Sequence, residues 1–419
     1  MNIRKKPGGV LGIVAVTAAL ALSLSGCRGD SGGQGGGGSA SSPGITDSAI
    51  TLGITTPLSG ATAGPGKCTV AGVSAYFGAA NAAGGVKFGD GKTRTVNIKS
   101  YDDAYDPQKS LANFQQMVSD NVFAATAGLG TPTNRAFRDA AISQKVPQVL
   151  VMTGDPLFSD RKQSPWQLGF VPIYQNEGGA FGKLLAKSGA QHKVAILSQN
   201  DDYGKGYVAG FKEAIQGASN ISVVGEQTYE ATDTSVDAQL TQLASSGADV
   251  FFNAMSITPL TIAALQKAQQ IGWKPSWFLP SNTSSPTAIL EPGGAAAYPG
   301  IYSVSFAKAP QSPAFAKDPD VVKFLDELKK YGNYPDMPAF PHCMWSYMVG
   351  ATLEKAFQNM KEPTRDSFMT ALRDIKDLKA PLMLEGTSVN TTVDGQPAVS
   401  SVVVQKYNGK GYATAENFG

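Results

Sequence analysis

The sequence predicts an α/β protein made of two similar, doubly wound lobes, each a parallel sheet with crossover helices. Two observations carry that class. From Asp47 onward, apolar runs of four to eight residues alternate with stretches of helical periodicity, the pattern of strands joined by crossover helices. The chain has 419 residues, enough for two or three units at about 150 residues each, and its last stretch is too short to form a third α/β lobe.

The elements follow in order. Ile50, Leu52 and Ile54 open the first strand. A helix is expected over 70–83 and a strand over 96–101; then comes a helix that Asp106 can cap with Pro107 at its first position, burying Leu111, Phe114 and Val118. A strand over 123–127, a helix over 132–144 and a strand over 148–152 complete the first unit. The second begins after 166–172. It alternates helices over 173–187, 205–216, 236–244 and 259–271 with strands over 193–197, 221–229, 250–252 and 277–279. A run at 301–306, helices over 321–331, 344–357 and 365–374, and a strand-rich end over 388–412 make up the tail.

The N-terminus precedes this pattern. Arg4, Lys5 and Lys6 lead an apolar run from Val10 to Leu24, too short to span a bilayer, so residues 1–26 read as a secretory signal. The run ends in Leu24-Ser25-Gly26-Cys27, which resembles the lipobox of bacterial lipoproteins and implies that Cys27 is lipidated; an ordinary signal peptide that happens to hold a Cys is the alternative. Residues 27–46 then form a tether rich in Gly and Ser. Gly33, Gly35 and Gly38 satisfy a G-x-G-x-x-G pattern there, but they follow no strand and open no helix. Ser159 and Lys162 fit S-x-x-K without a K-T-G partner and read as a polar loop.

Composition narrows the function. The formal charge of +2 falls by three to −1 when residues 1–26 are removed, which leaves no basic excess for nucleic acid. Two histidines and three cysteines are too few for the usual zinc constellations, so no metal and no cofactor are expected. His192 precedes a strand and His342 lies between Pro341 and Cys343, so neither is placed as a catalytic base and the protein is not expected to be an enzyme. With Cys27 acylated, Cys68 and Cys343 are the two remaining thiols; in an oxidising compartment they are expected to pair, with two buried free cysteines as the rival.

Four stretches together resemble the leucine/isoleucine/valine-binding proteins of ABC importers, which have the type I periplasmic binding protein fold. They are ITLGITTPLSG, SYDDAYDPQKSLANFQQMVSDNVFAATAGLGTPTNRAF, ILSQNDDYGKGYVAGFKEAI and FFNAMSITPLTIAALQKAQQIGWKPSWFLP. The resemblance implies two lobes joined by three crossovers, near Phe170, Val304 and Leu382, with the ligand cleft between them. Lobe 1 is then 47–169 plus 305–381, and lobe 2 is 170–304 plus 382–419. It further implies a monomeric, membrane-anchored receptor on the extracytoplasmic face. Such a receptor closes on a small amino-acid-like, carboxylate or amide solute and passes it to a permease and its ATPase subunits. A ligand sensor for a signalling partner and, behind it, a secreted enzyme are the competing readings: a sensor-kinase neighbour would favour the first, turnover of bound solute the second.

Ligands of open α/β sheets lie beyond the carboxyl ends of strands, at helix N-termini. Thr131, Pro132 and Thr133 occupy such a place, with Thr131 either capping the helix alone or also donating to a carboxylate, as the family resemblance implies. Met152, Thr153 and Gly154 should form the next wall, Leu58 and Ser59 the floor, and Tyr203 a lid matching a family tyrosine. Ser256 and Ile257 fall where the family uses another aromatic. One departure stands out. Where the family carries an acid for the ligand's ammonium, this chain reads Ser281-Asn282, leaving Asp155, Asp201 and Asp202 as substitutes. The expectation is therefore a carboxylate or amide with an apolar or aromatic body, bound better than free leucine or valine.

Overall fold

The computed structural model describes residues 41–419. The lipobox, with Cys27, and most of the tether lie outside the described residues. Two parallel-dominated sheets organise the rest.

In the first sheet, β1 (Ala49–Thr56) is central, with Ile50, Leu52 and Ile54 fully buried. It pairs in parallel with β3 (Thr93–Asp102) on one side and β4 (Ala124–Thr126) on the other. β5 (Gln148–Val151) and β6 (Gln167–Gly169) extend one edge, and a short antiparallel β2 (Val86–Lys87) closes the other. The helices are α1 (Ala63–Ala82), α2 (Pro107–Ser119) and α3 (Thr131–Ser143). Asp106 caps α2 as expected, accepting from Gln108 N at 2.7 Å.

The second unit begins with α4 (Tyr174–Lys187). Its sheet, in spatial order, ends at β8 (Ile221–Tyr229), next to β7 (His192–Gln199), β9 (Val250–Ala254), β10 (Ser276–Phe278) and β11 (Ile301–Ser305). These five strands are parallel, wound by α5 (Asp202–Ala214), α6 (Asp237–Ala244) and α7 (Thr258–Gln270). β12 (Val403–Tyr407) adds antiparallel to β11, and β13 (Tyr412–Thr414) antiparallel to β12. Between β11 and β12 the chain returns to the first unit as α8 (Pro319–Tyr331), α9 (His342–Asn359) and α10 (Arg365–Leu372).

That return fixes the first core. α9 lies on α1, where a Cβ on Gly72 would meet Cys343 O at 2.2 Å and Ser346 Oγ at 2.1 Å, so only glycine allows this approach. Cys68 and Cys343 are disulfide-bonded across the same seam. Cys68 sits in the second turn of α1 and not, as expected, on the loop before it, because the helix starts seven residues earlier than its apolar pattern suggests. Gly64-Pro65-Gly66 reads as loop punctuation, yet proline is tolerated in a first helical turn.

Residues 383–399 pack on the first unit: Val389 and Val399 are buried in its core, and Ala398 N and Val399 N donate to Gly169 O and Phe170 O at 2.9 Å. The chain re-enters the second sheet at Val403, about twenty residues after the expected Leu382. The low hydropathy of 383–397 hides that packing, which runs through backbone bonds such as Leu378 with Val389.

Candidate functional site

The carboxyl ends of β4 and β5 in the first sheet face those of β7, β9 and β10 in the second, and a cavity lined by polar and aromatic side chains lies between them. From the first unit it is lined by Thr62 and Pro65 at the start of α1, Tyr105, the segment Leu129–Thr131, Met152, and His342 and Trp345 of α9. From the second come Tyr174, Glu177, Tyr203, Tyr207, Ser256, Ser281 and Asn282.

Gly130, with φ of 105°, turns the chain into α3, so it and not Thr131 occupies the cap position. Thr131, freed from capping, places its hydroxyl 2.8 Å from that of Thr153 and 2.9 Å from that of Tyr174, and those two are 3.0 Å apart. Three buried hydroxyls thus form a closed triangle at the cavity wall. Each can donate once and accept twice, so lone pairs remain after the mutual bonds. Burial pushes the Tyr174 phenol well above its ordinary value, so the triangle is neutral.

Thr133 turns away: its hydroxyl donates to Leu129 O at 2.7 Å, and the Asn134 backbone N–H donates to Gly130 O at 3.2 Å. Pro132 follows in the first turn of α3 and is not among the lining residues. Gly154 is buried under Tyr174, where a Cβ would clash with Pro172 O at 2.4 Å.

On the opposite wall, Tyr203 donates to Asn282 Oδ1 at 2.9 Å and to Met255 O at 3.2 Å, so the tyrosine belongs to the wall and is 3% exposed. Its ring packs with Tyr174 and Tyr207 at centroid distances of 4.8–5.0 Å. Ser256 donates to Gln199 Oε1 at 2.6 Å. Ile257 is core and does not reach the cavity. Leu58 and Ser59 also miss it, because their amides are held by Asp102 Oδ1 at 2.8 and 3.3 Å; Thr62 and Pro65 take the floor instead.

The three acids considered as substitutes are engaged elsewhere. Asp201 caps α5 through Tyr203 N and Gly204 N, and Arg135 holds both Asp155 and Asp202. The acid that does reach the cavity is Glu177, three residues into α4, which sequence reasoning missed. It is 2% exposed; Oε2 accepts from Tyr207 Oη at 2.8 Å and Ser281 N at 3.1 Å, and Oε1 from Ser281 Oγ at 2.8 Å. Burial pushes its pKa up to about 7, partly opposed by those bonds. The signal was present in principle: Glu177 stands on the helical stripe of Tyr174, Gly178 and Phe181, where an apolar residue is the rule.

Tyr105 and His342 were missed as well. Tyr105, on a left-handed backbone at φ 65°, packs against the cores of both units. His342 is buried and held neutral, its pKa depressed by burial to about 3. His342 Nδ1 and Trp345 Nε1 have no hydrogen-bond partner, which leaves polar capacity on the α9 wall.

Comparison with known proteins agrees with this geometry. A family model described as a periplasmic binding protein matches residues 49–411. A "Leu/Ile/Val-binding protein homolog 3" from Brucella melitensis is 27% identical over 207 residues, 48% of this chain; the alignment spans about half the length of that relative, 53%. Among solved structures, a fatty acid ABC transporter substrate-binding protein from Thermomonospora curvata aligns over 90% of this chain and 95% of its own, at 23% identity and a TM-score of 0.76. An R. palustris solute-binding protein in complex with 4-hydroxybenzoate aligns over 88% and 97%, at 20% identity and a TM-score of 0.73. These relatives are binders and not catalysts, as the absence of a placed base had suggested. The chain belongs to the periplasmic binding protein family, among relatives of the leucine/isoleucine/valine-binding type.

Proposed function

We propose that this protein is the extracytoplasmic solute-binding lipoprotein of an ABC importer, a monomer anchored through Cys27. It captures a small amino-acid-like, carboxylate or amide solute by closing two lobes and delivers it to a permease with its ATPase subunits. The lobes are 47–169 with 305–399, and 170–304 with 400–419. The observation that carries the reading is the cavity itself: both units line it, each with buried polar groups at the carboxyl ends of its strands. The family membership, the name of the Thermomonospora neighbour and the basic-then-apolar leader support the transport setting. Closure follows because each unit supplies only part of the polar contacts, and joining them excludes water. No helix of the described residues is long and apolar enough to cross a membrane.

A thermal-shift screen over amino acids, aromatic acids, short amides and sugars identifies the solute, since a ligand of the folded state raises the melting temperature. Small-angle scattering with that solute should then show a smaller radius at saturation. An unchanged profile would contradict capture by hinge closure.

A further inference from the structure

Among the described residues, Glu177 is the one carboxylate lining the cavity, and no cation accompanies it. The described lining residues include neither Lys nor Arg, and His342 is neutral. The donors on Glu177 are uncharged, from Tyr207 and Ser281, and a carboxylate has about four acceptor sites, so three bonds leave it short of saturation. An ionised carboxylate this deeply buried is costly without a charged partner. The first turn of α4 favours a negative charge through the helix dipole, but that effect is small beside the cost of burying an unpaired charge.

The rest of the wall sharpens the point. The Thr131, Thr153 and Tyr174 hydroxyls are neutral, and the Tyr174, Tyr203 and Tyr207 rings that line the cavity bring no charge. A simple acid would bring a second negative charge into the cavity, and an amide would leave Glu177 uncompensated. An ammonium group balances it.

We propose that Glu177 receives an ammonium group of the solute, so that the cargo is an amine or a zwitterion and not a simple acid. The proposal rests on the solute-binding reading above and reverses the ligand charge expected from Ser281-Asn282. The acid enters from α4 and contacts Ser281 directly, so the carboxylate stands beside the residue that replaced it in sequence. Tyr203 and Tyr207 from α5, Tyr174 on α4 itself, Tyr105 after β3 and His342 from α9 are the other titratable groups among the described lining residues, and none is cationic near neutrality. With its pKa pushed up to about 7, Glu177 is shared between the protonated and ionised forms near neutrality, and an incoming ammonium shifts it to the carboxylate.

The test uses matched triads on the full chain at pH 8: phenylalanine, 3-phenylpropanoate and 2-phenylethylamine, and leucine, 4-methylpentanoate and 3-methylbutylamine. Melting shifts rank them, and calorimetry measures the best. The expected result is that ammonium-bearing members stabilise most, that Glu177→Gln weakens them at least about tenfold, and that Tyr207→Phe, which keeps the charge, retains the order. At pH 7, titration in two buffers of different ionisation enthalpy should show proton release. Preference for the acids, or ammonium binding unchanged in Glu177→Gln, overturns the proposal. The ranking on the wild-type protein alone decides it if a variant does not fold. A panel in which nothing binds would overturn the small-solute reading itself, and this proposal with it.

Discussion

Arg135 of α3 reaches across the cleft to Asp202 of α5, Nη1 to Oδ2 at 2.6 Å, while its Nε holds Asp155 at 2.5 Å. One guanidinium thus ties a buried acid of one unit to a half-exposed acid of the other. The two acids hold its pKa above the ordinary arginine value, with the Asp155 bond the larger cause.

Because Asp202 is half exposed, its share is that of a surface pair, about 0.2–1 kcal/mol. Asp202→Asn should therefore leave the melting temperature nearly unchanged while weakening solute binding by up to about fivefold, through a lower population of the joined state. Titration with the solute found by screening, beside scattering of the unliganded variant, checks this. Equal affinity and equal radius would remove Arg135 as a latch.

The raised pKa of Glu177 makes a stability prediction with a definite sign. Its folded value of about 7 lies above the ordinary 4.5, so between those limits the folded state binds more protons than the unfolded one. Stability of the empty protein should fall as pH rises from about 4.5 to 7 and level off above, by about 3 kcal/mol at most from this group. Asp103, pushed up to about 6 by burial, acts in the same direction. The comparison is thus wild type against Glu177→Gln, whose decline over that window should be visibly shallower in denaturant titrations. Parallel curves would mean that Glu177 titrates normally.

Replacing both Cys68 and Cys343 by alanine should destabilise the protein by about 2–5 kcal/mol, since the bond closes a loop with a sequence separation of 275. Solute affinity should fall too, because Cys343 lies in the first turn of α9 beside His342 and Trp345. Melting with and without reductant tests the first part, and titration the second.

Cys27→Ala should release the protein from the membrane fraction, as two acyl chains hold firmly where one holds marginally. A variant that stays bound after a high-salt wash would refute lipidation at Cys27.

The fold class was legible because strands such as β1 and β9 and helices such as α2 carry their periodicity openly. The cavity lining was legible in part, where a strand end is also a helix start: Thr131, Met152, Tyr203, Ser256, Ser281 and Asn282 all line the cavity, and Thr153 joins them through its hydroxyl. Glu177, Tyr105 and His342 were not, because each acts from inside an element or a turn whose neighbour in space is remote in sequence. Glu177 meets Ser281, 104 residues on, a meeting no local pattern encodes.

The wiring of the first unit has a consequence for biosynthesis. α1 emerges early, but the face holding Cys68 and Gly72 waits for α9, which follows only after the whole second sheet save its last two strands has been made. That sheet in turn lacks β12 and β13 until the final residues. Neither half can therefore complete its core on the ribosome, and long-range pairing of this kind closes slowly. A chain whose cores close this late stays incompletely folded until its last segment is made.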